Sequence, residues 1–166
     1  VTYRCHDAKD FDVYLNRYLR ARYDWALHDI GKTGLDKSKA VSASIKARVV
    51  SSRMKAAPNG TAFEAQLQFP DVKGVDGRAF PEYVQVQGFA YDDNRKAHIT
   101  ITIFNKPAVR LPESYFVSFT ADGIKKVVAE KIGERVDLTD VVEKGNRQMH
   151  GIDRYVDVIT GNHTIR

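Results

Sequence analysis

From about Thr61 onward, hydrophobic and polar positions alternate with a period of two. In `TAFEAQLQF`, Phe63, Ala65, Leu67 and Phe69 interleave with Ala62, Glu64, Gln66 and Gln68, which predicts a strand with one buried and one wet face. After the turn-rich `PDVKGVDGRAFPE` come `YVQVQGFAY` (83–91), the short acidic `DDNRK`, and `AHITITIF` (97–104). The last two runs predict a hairpin. `SYFVSF` (114–119) predicts a further strand. So does `IKKVVAEKIG` (124–133), where Val127 and Val128 between Gly123 and Gly133 favour a strand over a short helix. `RYVDVIT` (154–160) is another, and `HTIR` begins one more.

Before Thr61 the spacing is nearer four. Phe11, Leu15, Leu19, Tyr23, Leu27 and Ile30 form one apolar stripe, predicting a helix over 8–30. Asp7 suits its N-cap, Asp10 its first turn and Gly31 its stop, while Tyr14, Tyr18 and Trp25 widen the apolar surface. Val41, Ile45 and Val49, spaced by four, predict a second helix over 36–50, joined to the first through `GKTGL`. The expected fold is therefore mainly β with an N-terminal helical segment (α+β): a helical hairpin at 1–58, then part of an antiparallel β-sandwich at 59–166. That sandwich is expected to be completed by another chain or by further sequence.

Composition narrows this only slightly. The 166 residues are 43% apolar and 28% charged, ordinary for a globular protein, and no apolar run approaches the roughly 20 residues of a membrane span. The chain opens on `VTYRCHDAKDF` and closes on `HTIR`, which reads as a processed or truncated piece. Cys5 is the lone cysteine and has no internal disulfide partner. Sequons at Asn59 and Asn162 point toward a secretory or lysosomal route. The net charge of +5 is local: residues 37–55 carry Lys37, Lys39, Lys46, Arg48, Arg53 and Lys55 without an acid. No stacking aromatics or phosphate loop accompany them, so the stretch reads as a solvated face or one docked on an acidic partner, not a nucleic-acid site.

No catalytic constellation is imposed by spacing. His6, His28, His98, His150 and His163 are scattered without metal-ligand partners. Asp92 and Asp93 stand where a hairpin turn needs them, and Asp137 and Asp140 resemble turn or cap residues. Ser114, His150 and Asp153 can be drawn as a triad, but no `G-x-S-x-G` elbow holds the serine.

The most specific segment is `FNKPAVRLPESYFVSF`, 104–119. Pro107 and Pro112 fix their own φ and bias Lys106 and Leu111 toward extended backbone, so Arg110 and Glu113 are held in defined places. They read as a local pair bracing the loop, or as groups reaching a polar site built with another domain. Together with Lys131, Gly133, Asp140, Val141, Val142, Gly145 and His150, the Asn105–Lys106…Arg110–Leu111–Pro112–Glu113 pattern resembles the C-terminal part of a family related to glycoside hydrolase family 38. The likeness covers roughly 80–160, including `FPEYVQVQ`; it departs where relatives carry a Trp-containing strand in place of `ESYFVSF`. It implies an α/β barrel elsewhere in the parent, bearing the zinc ion and aspartate nucleophile of a retaining α-mannosidase. This chain would be the helical linker and part of the β-sandwich, without catalytic or metal-binding residues. Arg110, Glu113 and His150 would then be the residues to meet a carbohydrate substrate. The alternative is a self-standing module that binds glycans or proteins.

Overall fold

The computed structural model describes residues 1–14, 34–93, 96–143, 145, 150–161 and 163–166. Its described residues form eleven strands in three antiparallel sheets, with one short helix. Two compact units divide the chain, Val1–Val117 and Ser118–Arg166.

In the first unit, strand β1 (Thr2–Cys5) lies at the centre of a three-stranded sheet between β2 (Ala43–Lys46) and β7 (Glu113–Phe116). Helix α1 (Ala8–Tyr14) follows β1, and the Asp7 carboxylate accepts the Asp10 N–H at 2.9 Å, the expected N-cap bond. The rest of the helix expected over 8–30 lies outside the described residues.

The second expected helix is a correction. Leu35–Lys37 make a 3-10 turn after Gly34 (φ 77°), and the chain then runs as β2 and β3 (Arg48–Ala57). A spacing of four is also twice a spacing of two, so Val41, Ile45 and Val49 fit a strand as well as a helix. Their β-branched side chains favour the strand. Ile45 is buried, whereas Val49 is 60% exposed; the three do not share one buried stripe.

Only Ala47 separates β2 from β3, its N–H donating to the Val1 carbonyl at 2.9 Å. β3 then opens a four-stranded meander with β4 (Gly60–Gln68), β5 (Tyr83–Tyr91) and β6 (Ala97–Phe104). The expected division at 58/59 falls in the tight turn joining β3 to β4, where Asn59 takes φ 65°. A shift in register between Val49 and Ser51 marks a bulge at Val50.

Because opposed residues share a face, the register sorts this sheet. Leu67, Val84 and Ile103 make one row; Ala65, Val86 and Ile101 the next; Met54, Phe63, Gly88 and Ile99 the third. The other face carries Gln66, Gln85 and Thr102, then Arg53, Glu64, Gln87 and Thr100. Gly88 is required in its row: a Cβ there would lie 2.3 Å from the Phe63 ring and 2.4 Å from the His98 carbonyl oxygen. At Gly60 a Cβ would meet the Phe89 ring at 2.4 Å.

The core of the first unit gathers on the three-stranded sheet and two connections. Tyr3, Cys5 and Ile45 from the three-stranded sheet pack with Ala79 and Phe80 of the β4–β5 connection, and Val109 and Leu111 of the β6–β7 connection close over them. Tyr3 is wholly buried, with ring centroids 5.2 Å from Phe80, 5.2 Å from Tyr115 and 6.0 Å from Phe69, spacings at which edge-on aromatic contacts are favourable.

The second unit holds β8 (Lys126–Lys131), β9 (Glu134–Asp137), β10 (Val156–Ile159) and β11 (Thr164–Ile165), in the order β11-β10-β8-β9. Ile132 (φ 53°) and Gly133 (φ 82°) make the tight β8–β9 turn, which suits a primed hairpin turn.

Candidate functional site

The proline-bounded connection between β6 and β7 organises the most site-like part of the first unit. It begins at Asn105, whose φ of 51° and amide bond to Glu82 (2.6 Å) turn the chain out of β6. The brace expected between Arg110 and Glu113 is instead made by Lys106: its ammonium meets Glu113 Oε1 at 2.7 Å and also donates to the Pro107 carbonyl at 2.7 Å. The loop folds back on itself, bringing a cation seven positions away closer than one three positions away.

Glu113 sits opposite Cys5 in the β1–β7 pairing, while Tyr3 sits opposite Tyr115. The carboxylate therefore points to the aromatic core side. Glu113 Oε2 and Tyr3 Oη are both buried, and neither reaches hydrogen-bond geometry with a partner among the described residues. Glu113 is nonetheless near enough to act on the Tyr3 hydroxyl. Burial first, and Glu113 second, push the Tyr3 hydroxyl pKa well above its ordinary value; Tyr115 is raised by burial and the same carboxylate.

Arg110 is exposed and, among the described residues, has no ion-pair partner. It lies on the rim of a groove of about 690 Å³ formed by residues 38–41, 74–78 and the 107–111 loop. Val41, Val75, Val109 and Leu111 supply apolar lining, and Lys39 is the second unpaired cation. A third, Arg78, is already held by Asp76 at 2.7 Å. Cys5 closes the base, its thiol donating to the Val41 carbonyl at 3.2 Å. Burial pushes that thiol's pKa up, which suits a structural cysteine and not a nucleophile. The groove joins an apolar lining to two unpaired cations on its rim.

The remaining sequence candidates are structural or separate. Asp92 and Asp93 occupy the β5–β6 turn, with Asp92 N–H donating to the Asn59 carbonyl at 3.0 Å. Asp137 accepts from the Thr139 N–H (2.8 Å) and hydroxyl (2.7 Å), which together with Lys126 lower its pKa to about 2. Ser114 stands on β7 of the first unit, and His150 and Asp153 belong to the second. His150 Nδ1 accepts from the Lys131 ammonium at 3.1 Å. Exposed Asn59 heads its turn, and Asn162 lies outside the described residues.

Two buried carboxylates that the sequence did not single out anchor the second unit. Asp157 is bonded by Arg166 at 2.7 and 3.0 Å and paired with Arg135 at 2.9 Å; Arg166, ahead of the opposing cost of burial, holds its pKa down. Glu130 is met by Arg154 Nε at 2.8 Å. The Arg166 guanidinium also stacks 3.8 Å over Tyr155. Removing the arginines from either acid would leave an uncompensated buried charge.

Among the described residues, no three of His, Cys, Asp and Glu converge as metal ligands, and no helix is long and apolar enough to cross a membrane. No family model, curated protein or solved structure matches the chain.

Proposed function

We propose that this chain is a non-catalytic β-rich module of a carbohydrate-active hydrolase resembling glycoside hydrolase family 38. Its four-stranded sheet would form half of a β-sandwich completed by another part of that parent. The observation that carries the reading is the apolar face at the sheet's two edges: Met54 is 77% exposed and Val49 60% on β3, and Ile99 and Ile103 are exposed on β6, in the same rows as Phe63, Leu67 and Val84 between them. Apolar side chains exposed along both edges of one sheet face are costly in water and mark an interaction surface. The motif at Asn105–Glu113 and the positions from Lys131 to His150 support the family part. In this reading zinc and the nucleophile belong to the parent's barrel, and Arg110, Glu113 and His150 are the groups of this chain nearest to substrate chemistry. Exposure of Asn59 supports passage through the secretory route.

A second reading, a self-standing glycan-binding module, is favoured by the opposite face. Gln66, Gln85, Gln87, Thr100 and Thr102 offer amides and hydroxyls there, beside the stacked Tyr83 and Phe104 rings, 4.5 Å apart.

Native material separates the two. The first expects co-purification with a larger polypeptide whose α-mannoside hydrolysis is lost to a chelator; a single 18.7 kDa species that binds glycans would overturn it. The chain alone is expected to self-associate and bind an apolar dye, both diminished by Met54→Glu with Ile99→Glu. A wild-type monomer that melts cooperatively and leaves the dye unbound would also sink it.

A further inference from the structure

The groove beside the proline loop has a use that the sheet does not explain. The geometry points to a docking site for an extended, acidic peptide segment of a partner protein, in which apolar residues alternate with carboxylates. Three independent features of the groove select that occupant.

The first is backbone chemistry. Among the described residues, the backbone N–H and C=O groups of Ala108, Val109, Arg110 and Leu111 have no protein partner. Pro107 and Pro112 flank them, fixing their own φ and biasing Lys106 and Leu111 toward extended backbone. A proline-stiffened wall with unspent donors and acceptors offers a strand-like peptide backbone partners.

The second is the lining: Val41, Val75, Val109 and Leu111 make an apolar floor. An extended peptide sends every second side chain to one side, so its apolar positions would meet this floor while the others turn outward. The third is charge. Lys39 and Arg110 stand on the rim without ion-pair partners among the described residues, whereas Arg78 nearby is neutralised by Asp76. Outward carboxylates would meet the two free cations, and Arg110 can engage one with two parallel N–H bonds. A neutral sugar would leave both cations unmatched.

Anisotropy titrations with the whole chain test the assignment. The probe is a labelled, capped peptide alternating valine with glutamate, compared with two controls: valine alternating with glutamine, and the glutamate peptide N-methylated at alternate amides. Saturable binding of the glutamate peptide is expected, weakened about tenfold by Arg110→Glu and about fivefold by Lys39→Glu, both exposed rim changes, and falling as salt rises. The N-methylated peptide should bind at least about tenfold more weakly, because it cannot use the Ala108–Leu111 wall. Equal binding of the glutamine peptide, equal binding of the N-methylated peptide, indifference to Arg110→Glu, or no saturation at all would each overturn the proposal. Competition by a neutral oligosaccharide, without competition by the peptide, would assign the groove to a glycan instead.

Discussion

The three-stranded sheet and the four-stranded sheet of the first unit solve the same problem in opposite ways. The small sheet covers its apolar face from within the chain: Tyr3 is fully buried under Phe80 and Tyr115, with Val109 and Leu111 arriving from a distant loop. The larger sheet is better paired, with eight or more residues in each strand, yet leaves Met54 and Val49 mostly in water. Backbone pairing and burial are thus separable. A sheet can be regular in its ladder and still lack the cover that stabilises it.

The most damaging change should be Tyr3→Ala, which empties the centre of the covered side and its ring contacts. A loss of about 3–5 kcal/mol is expected by denaturant unfolding, and a loss under about 1 kcal/mol would show that the small sheet is not the first unit's anchor. Next is Gly88→Ala in the larger sheet. A Cβ has no room between the Phe63 ring and the His98 carbonyl, so about 1–3 kcal/mol should be lost, and an unchanged midpoint would refute the close packing of that row.

Alkaline pH sharpens the contrast further. The Tyr3 and Tyr115 hydroxyls have pKa values raised above the ordinary 10.0 of unfolded tyrosine. Their contribution is complete below that value and is lost as pH rises above it, since the unfolded chain then releases protons the folded one retains. Tyr3→Phe should flatten the loss, and an identical alkaline slope in the variant would contradict the assignment. The smallest effect on stability belongs to Met54→Glu at the exposed edge of that sheet face, within about 0.5 kcal/mol. A large loss there would mean the face is already covered.

Alternation made the larger sheet legible. Phe63 to Phe69, `YVQVQ` and `ITITI` each repeat over enough residues for the period of two to stand out, and β8 and β10 were marked by their valines. β1 was missed because `TYRC` holds only two inward positions, and β9 because `ERVD` shows no run. Val41, Ile45 and Val49 misled because their spacing serves both periods, and only non-local pairing decides between them. The groove was half visible. Prolines announced a stiff loop and placed Arg110 on it, but that Lys106 would take Glu113 and leave Arg110 free depends on how the loop folds back. Lys39 joined the rim through tertiary packing alone.

The glycine sockets have one more consequence. The larger sheet is written in near-repeats: Glu64–Ala65–Gln66 faces Gln85–Val86–Gln87, which faces Thr100–Ile101–Thr102, and Gln66–Leu67–Gln68 continues the pattern along β4. Sliding one strand by two residues would keep apolar over apolar and amide over amide, so these triplets barely distinguish the native alignment from its neighbours. Phe63 against Gly88 and Phe89 against Gly60 break that tie, because a displaced Phe63 would confront Val86 or Ala90 where it now finds an empty place. Two residues without side chains thus carry the reading frame of a sheet whose other letters are almost interchangeable.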